Sequence, residues 1–507
     1  MTPGYRPLGA SGRPRVASSV RITAPTEKVP NRMIFTGLIV GALLGVVLQR
    51  GRFCVTGMLR DIFLLRSWRT FTALMIVIAV HAVGIAVLTG VGVISPEYPT
   101  FAPAAVVVGG LLFGMGIILA GGCASGTWYR AAEGLVGSWL ALAMYALSSA
   151  AMKKGALGDL NTSLKSWDTG LTTIPAALGI SPWPFVIILV AVTVLMVRHF
   201  LKRERQSVRP ASLGGRARWK RPLHFYVAAV LVGILGVVAW PLSAAAGRND
   251  GLGITSPSSN VVKFIATGDG SSIDWGVMLV LGLFGGALVA AKATGEFRVR
   301  VPDAVTATRS VVGGVMMGVG ASWAGGCTVG NGMVQTSLFS FQGWVALVFI
   351  ALGVGLGAKL WLKPSTAGSK ASQPATADAY STDQSLGGAA GSDDIENQPT
   401  SGGTAPFAGF ATAPGALAVK APQVSTKARD LGGGYFALDS LGAVCPFPLI
   451  EAKDVMATLS SGDHLVIDFD CTQATEAIPH WAAEDGHEVT DFQERGEASW
   501  QITLRKG

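Results

Sequence analysis

The most regular feature of the chain is a succession of long apolar runs separated by shorter polar stretches. One run begins at Met33, and others fall near residues 70–94, 101–122, 131–152, 183–201, 223–247, 274–291, 310–326 and 342–362. Most reach the ~20 residues that a helix needs to cross a ~30 Å hydrocarbon core, so the pattern predicts an all-α polytopic membrane protein of roughly nine or ten passes. Residues 1–32 are polar and basic, with Arg6, Arg13, Arg15, Arg21, Lys28 and Arg32 against Glu27 alone. No small-residue cleavage motif follows the run from Met33, which is therefore expected to be a first span rather than a removed signal.

The pattern changes after residue 362. Residues 363–433 are rich in Ala, Gly, Ser, Thr, Pro and Gln without apolar periodicity, the composition of a flexible linker. As coil, about 70 residues give an end-to-end distance of about 45 Å. Residues 434–507 alternate strand-like runs (Phe436–Leu441, His464–Phe469, His487–Phe492, Trp500–Leu504) with helical stretches (Pro446–Leu459, Thr472–Ala483). This order predicts a small C-terminal α/β two-layer domain, β-α-β-α-β-β.

Composition sharpens the division. Apolar residues make up 50% and charged residues 14%, against about 25% charge in soluble domains, so a single soluble globule is excluded. The net charge of +9 hides two signs, because Tyr435–Gly507 carries 4 Lys or Arg against 13 Asp or Glu. A basic membrane part fits cytoplasmic loops rich in Lys and Arg and gives no reason to propose nucleic acid; lipid is the expected surrounding. By the same rule Lys202–Arg221, with eight basic residues and one Glu, lies in the cytoplasm, together with the N-terminus, Arg60–Arg69 and Lys292–Arg309. The segment after Cys54 then has to turn back as a re-entrant or half-length helix, and Lys153 and Lys154 fall outside. N- and C-termini are both expected in the cytoplasm, and the acidic domain is expected to visit Lys202–Arg221 on its tether.

Val108–Gly126 laid over Val312–Gly330 gives ten identities in nineteen positions without a gap, including Cys123 and Cys327. Such self-similarity points to an internal duplication. A weaker match pairs Gly41–Cys54 with Gly285–Arg298. With the two Gly-Gly-Cys segments crossing in opposite directions, the pattern predicts an inverted repeat, in which discontinuous helices place a substrate site near the midplane. Gly121 and Gly122, like Gly325 and Gly326, let the backbone leave helical geometry and approach a passing ion. The competing reading makes Gly109, Gly110, Gly114, Gly116 and their counterparts small residues at helix contacts, with Cys as a small buried hydrophobe.

Five cysteines, at 54, 123, 327, 445 and 471, form no C-x-x-C pair and are read as free thiols, with no metal centre and no cofactor. A thiol is a weak, polarizable donor, suited to accompanying a soft sulfur oxyanion without holding it. Arg50, Arg52, Lys292 and Arg298 are read first as interface charges that set topology, and otherwise as recruiters of anions. His81 is read as a packing histidine, and Arg130 with Glu133 as an i,i+3 pair on a helix surface. Cys445-Pro446-Phe447-Pro448 follows a strand and opens a helix, where the dipole favours thiolate at Cys445.

Gly51–Cys54 (G-R-F-C) and the two A-G-G-C segments, Ala120–Cys123 and Ala324–Cys327, resemble the YeeE/YedE family of membrane sulfur-compound transporters over about residues 33–362. The resemblance implies thiosulfate uptake, with Cys54, Cys123 and Cys327 as relaying thiols, in the bacterial inner membrane. C-P-x-P in residues 434–507 resembles the TusA/SirA sulfur carriers, and its fusion to such a transporter points to their YeeD branch. That implies Cys445 as the sulfur-accepting thiol, supported by Pro446 and Pro448, with Cys471 in a weaker role and downstream sulfur-accepting proteins as partners. The domain would add sulfurtransferase or thiosulfate-decomposing activity to what is mainly a transporter. The alternatives are a membrane-anchored sulfurtransferase without transport, and a permease for another sulfur or selenium compound or for a soft metal.

Overall fold

The computed structural model describes residues 31–361, apart from 65, 207–219 and 303, and residues 428–507, apart from 444–446 and 497. Most of the basic N-terminal segment, most of the linker, Cys445 and Pro446 lie outside the described residues.

Helix α1 (Asn31–Arg50) carries glycine every fourth residue, at Gly37, Gly41 and Gly45. A methyl on Gly41 would lie 2.0 Å from the Leu279 carbonyl oxygen, and one on Gly45 2.1 Å from that of Leu283. Both carbonyls belong to α12 (Trp275–Thr294), whose Gly282 and Gly286 meet Leu38 and Ala42 in return. The two backbones touch because the side chains are missing, the usual way for membrane helices to gain packing where lipid offers no hydrophobic drive. The paired positions rise together, so α1 and α12 are parallel. Trp275 Nε1 donates to Thr36 Oγ1 at 2.9 Å at one end, and Gln49 Nε2 donates to Glu296 Oε2 at 2.7 Å at the other.

After α1 come the short α2 (Val55–Leu64) and then α3 (Arg69–Gly90), α4 (Pro103–Leu119), a short α5 (Ala124–Ala132), α6 (Val136–Lys154), α7 (Gly158–Lys165), α8 (Ile174–Leu178) and α9 (Trp183–Gln206). The second half runs α10 (Phe225–Ala245), α11 (Thr255–Thr267), α12, α13 (Ala304–Trp323), a π-helical turn at Gly330–Gln335 and α14 (Phe341–Trp361). Eight stretches are long and apolar enough to cross a membrane. The 19-residue α6 packs along α13, with Gly314 on Ala141 and Gly318 on Tyr145.

The duplication is visible in the packing. Gly109 lies against Gly320, and Gly313 lies against Gly116. Since Gly109 matches Gly313 and Gly116 matches Gly320 in the sequence repeat, α4 and α13 are antiparallel images of each other, as an inverted repeat requires. The weaker match fails here: α1 and α12 run in the same direction, which an inverted pair cannot do. The partner of α1 by order and direction is α10, and Ile254, before α11, stands where the first copy has Cys54 before α2.

Among the described residues the C-terminal domain is a five-stranded mixed sheet of order β1-β2-β3-β5-β4 with two helices. Its elements are β1 (Arg429–Gly432), β2 (Tyr435–Ser440), α15 (Phe447–Thr458), β3 (His464–Phe469), α16 (Ala474–Glu484), β4 (Glu488–Gly496) and β5 (Ser499–Arg505). Strands β2 and β3 are parallel, and the other neighbours are antiparallel. Alternate burial along β3 and β5 sends Leu465, Ile467, Phe469, Trp500, Ile502 and Leu504 into one core. Strand β1 is an addition to the expected order, drawn from the end of the linker.

The domain is docked on the membrane part. Arg300 Nε lies 3.5 Å from Asp470 Oδ2, Gln473 Nε2 donates to the Tyr129 hydroxyl at 3.2 Å, and Arg69 Nη2 is 3.4 Å from His480 Nε2. Phe447 and Ile450 pack against the membrane core. These contacts fall on α5, the α12–α13 connection and the start of α3; most of Lys202–Arg221 lies outside the described residues. This capped face also holds the end of α1, so α1 begins on the opposite, open face.

Candidate functional site

Gly121 and Gly325 hold equivalent left-handed conformations, φ +70° and +79°, just after α4 and α13. A residue with a Cβ resists this region, which is why each crossing ends in Gly-Gly. The turns are held by side chains that the repeat does not announce. Arg130 Nη1 donates to the Gly121 carbonyl. Asn331 Nδ2 donates to the carbonyls of Ala324 and Gly326 at 2.8 and 2.9 Å, and Gln342 Nε2 supports Asn331 Oδ1 at 2.9 Å. Gly122 and Gly326 leave just enough space: a methyl on either would lie 3.3 Å from Arg130 Nη1 or the Asn331 amide nitrogen.

Each turn presents a cysteine. Cys54, Cys123 and Cys327 are free and buried. Cys54 and Cys123 are hydrogen-bond neighbours. A methyl on Gly126 would lie 3.4 Å from both sulfurs, so this glycine opens the space they share. The hydroxyl of the buried Tyr145 is within interaction range of both Cys327 and Cys123 and donates to Thr255 Oγ1 at 2.8 Å. The three thiols thus form a series, Cys327, Tyr145, Cys123, Cys54.

A cavity of about 520 Å³ opens at one end of the series, lined by Gly325, Gln335, Gln342, Lys165 and Asp250 on the open face. At the other end, Cys54 borders a cavity of about 130 Å³ whose walls come from both domains, including Arg52, Arg60 and Arg69 on one side and Lys453, Gln473 and His480 on the other. A second, smaller space under the domain is lined by Arg130, Glu133, Arg300, Asp470 and Cys471.

Charge around the inner end is paired and buried. Gln49 Nε2 bridges Glu296 and Glu133, the latter at 3.3 Å, and Arg52 Nη2 lies 3.2 Å from Glu296 Oε1. Arg130 and Glu133 are therefore internal, not a helix-surface pair, and Arg52 is part of this network rather than an interface charge; Lys292 and Arg298 are exposed. His81 packs as expected, its Nε2 accepting from Trp240 Nε1 at 3.1 Å. In the docked domain, burial together with Arg69 and His224 pulls the His480 pKa down to about 3.

The C-terminal motif is seen in part. Pro448 is buried in α15. Cys471, at the end of β3, is disulfide-bonded, so the expectation of free thiols fails at this position. Neighbouring Asp470 accepts from the Gly442 amide at 3.0 Å and faces Arg300. Sequence reasoning missed Tyr145, Gly126, Asn331, Gln342 and Arg300. The only available signal was that Gly126 recurs as Gly330 in the repeat.

Two inverted membrane halves carry a small α/β domain docked on one face. The chain belongs to the Sulphur transport family, which matches residues 50–356, and residues 437–506 match the Sulfurtransferase TusA family. The thiosulfate transporter TsuA of Escherichia coli (strain K12) is 48% identical over 326 residues, 64% of this chain and 93% of that protein. The thiosulfate transporter TsuA of Spirochaeta thermophila is 32% identical over 335 residues, 63% of this chain and 97% of that protein. TsuB of Escherichia coli (strain K12) is 65% identical over 69 residues of the C-terminal domain, 14% of this chain and 92% of that protein. These findings agree with the resemblance carried by Gly51–Cys54, the two A-G-G-C segments and C-P-x-P.

Proposed function

We propose that this chain takes thiosulfate across the inner membrane past Cys327, Cys123 and Cys54 in that order, and passes it to the C-terminal domain for sulfur transfer. The observation that carries the reading is the series of thiols, which lies between the open-face cavity lined by Gly325, two residues before Cys327, and a cavity bordered by Cys54 whose far wall is the TusA-type domain. The TsuA relatives support thiosulfate as the ion. Soft thiol donors suit its outer sulfur, and weak donors let the ion leave each station.

The capped face carries Arg50, Arg60, Arg69, Arg221 and Arg300, so the positive-inside rule makes it cytoplasmic and puts the start of α1 outside. A dianion moving inward then works against an inside-negative potential, about 5 kcal/mol for each 100 mV. Consumption at the inner mouth opposes that cost. There, once a thiol reductant has opened the disulfide at Cys471, the Cys445 thiolate attacks the outer sulfur of thiosulfate, the S–S bond breaks, sulfite leaves, and a persulfide remains for downstream sulfur-accepting proteins. Phe447 and Ile450, packed on the membrane core, support delivery to this motif.

The test is uptake of labelled thiosulfate by liposomes containing the whole chain, with intact-mass spectra of the same protein. Uptake together with a gain of about 32 Da, one sulfur, at Cys445 is the expected result. Persulfide without uptake favours the membrane-anchored sulfurtransferase, and uptake without persulfide reduces the domain to a binding or gating role.

A further inference from the structure

Each thiol of the path is followed within two residues by a hydroxyl: Thr56 after Cys54, Ser125 after Cys123 and Thr328 after Cys327. Ser125 Oγ lies 3.5 Å from Cys123 Sγ. The other two differ. Thr56 is 4% and Thr328 0% exposed, and neither hydroxyl has a hydrogen-bond partner among the described residues. Elsewhere in the membrane part threonines solve this problem locally. Thr193 donates to Leu189 O at 2.8 Å, Thr294 to Ala290 O at 3.0 Å and Thr336 to Gly332 O at 3.0 Å, each one helical turn back. Thr56 and Thr328 sit directly after the breaks at Cys54 and Cys327, where no preceding helical turn supplies such an acceptor, and the Ala324 carbonyl already accepts from Asn331.

A buried hydroxyl without a partner is costly, and it persists where something else fills the bond. The passing ion is chemically two-ended, with one soft sulfur and three hard oxygens. Thiols serve the first poorly enough to release it, whereas an O–H donor to an anionic oxygen is a strong, charge-assisted bond. We infer that Thr328 and Thr56 are the oxygen-reading groups of the outer and inner stations, donating to the sulfonate end while the neighbouring cysteine holds the sulfur end. The transported class is thereby narrowed to anions that carry both a sulfur and an oxyanion face. This rests on the thiosulfate reading above.

The experiment measures thiosulfate uptake by the reconstituted full chain for wild type, Thr56→Val, Thr328→Val, the matching Thr→Ser variants, and Thr193→Val as a control with a locally bonded hydroxyl. Valine keeps the shape and removes the donor. The expected result is a KM raised about tenfold or more in each valine variant at the two sites, the loss typical of one hydrogen bond to a charge, with the maximal rate within about twofold. Serine should restore KM, and Thr193→Val should leave it unchanged. Valine variants with KM near wild type, or serine variants as impaired as valine, would overturn the assignment. Where a valine variant does not insert, Thr→Ala is read by the same criteria. A wild-type chain that takes up no thiosulfate would instead remove the transport reading and this inference with it, so the two failures are distinct.

Discussion

Gly126→Ala is the sharpest perturbation of the path. The added methyl lies 3.4 Å from both Cys54 Sγ and Cys123 Sγ, close to contact with each but without a backbone clash. Helix α5 gains propensity from the change, about 0.5–1 kcal/mol, so the fold is expected to hold. The same methyl occupies the space that an ion handed from Cys123 to Cys54 must enter. Overpacking a filled site costs about 1–3 kcal/mol, which corresponds to a loss of about five- to 150-fold in uptake. The assay is labelled thiosulfate uptake into liposomes, normalised to inserted protein, with thermal stability in detergent as the folding control. Gly285→Ala on α12, where a methyl meets nothing within 4 Å, is the matched control and should transport normally. Wild-type uptake by a folded Gly126→Ala variant would mean that the ion does not pass between these two sulfurs.

Further outcomes follow from the same geometry. Gly325→Ala should destabilise by more than the left-handed backbone penalty of about 1–2 kcal/mol alone, because its methyl also falls 2.5 Å from Gln342 Nε2, as thermal melts in detergent would register. Asp470→Asn removes the carboxylate of the docked domain that faces Arg300 and leaves Arg300 only Glu133 and Glu296 of the membrane part, so crosslinking between cysteines placed at Gln473 and Tyr129 should fall. Docking should also weaken on acidification. The docked His480 resists protonation down to about pH 3, whereas a released histidine binds a proton near pH 6.5. The released form therefore holds more protons between these values, and docking is strongest above about pH 6.5, losing about 2 kcal/mol by pH 5. Crosslinking yield that ignores pH, or a slope unchanged in His480→Gln, would rule out this histidine.

The parts of the fold that could be read from sequence are those where one residue type meets one physical demand. Gly-Gly before Cys123 and Cys327 is such a case, because a left-handed turn at the end of a crossing needs glycine and the repeat displays it twice. The strand alternation of residues 464–469 and 500–504 is another. Residues whose role depends on a distant partner were misread. Arg130 and Glu133 look like a surface pair at helical spacing, but their partners, Gly121 and Gln49, come from other segments. Tyr145 looks like one more aromatic in an apolar run, and only folding brings it between two thiols contributed by opposite halves of the repeat.

The central claim is that thiosulfate crosses by way of the buried thiols, and Cys123 stands between the other two. Uptake by Cys123→Ala, in protein whose insertion and melting match wild type, tests it most directly. The account predicts uptake reduced to the level of empty liposomes. Uptake at the wild-type rate would contradict it.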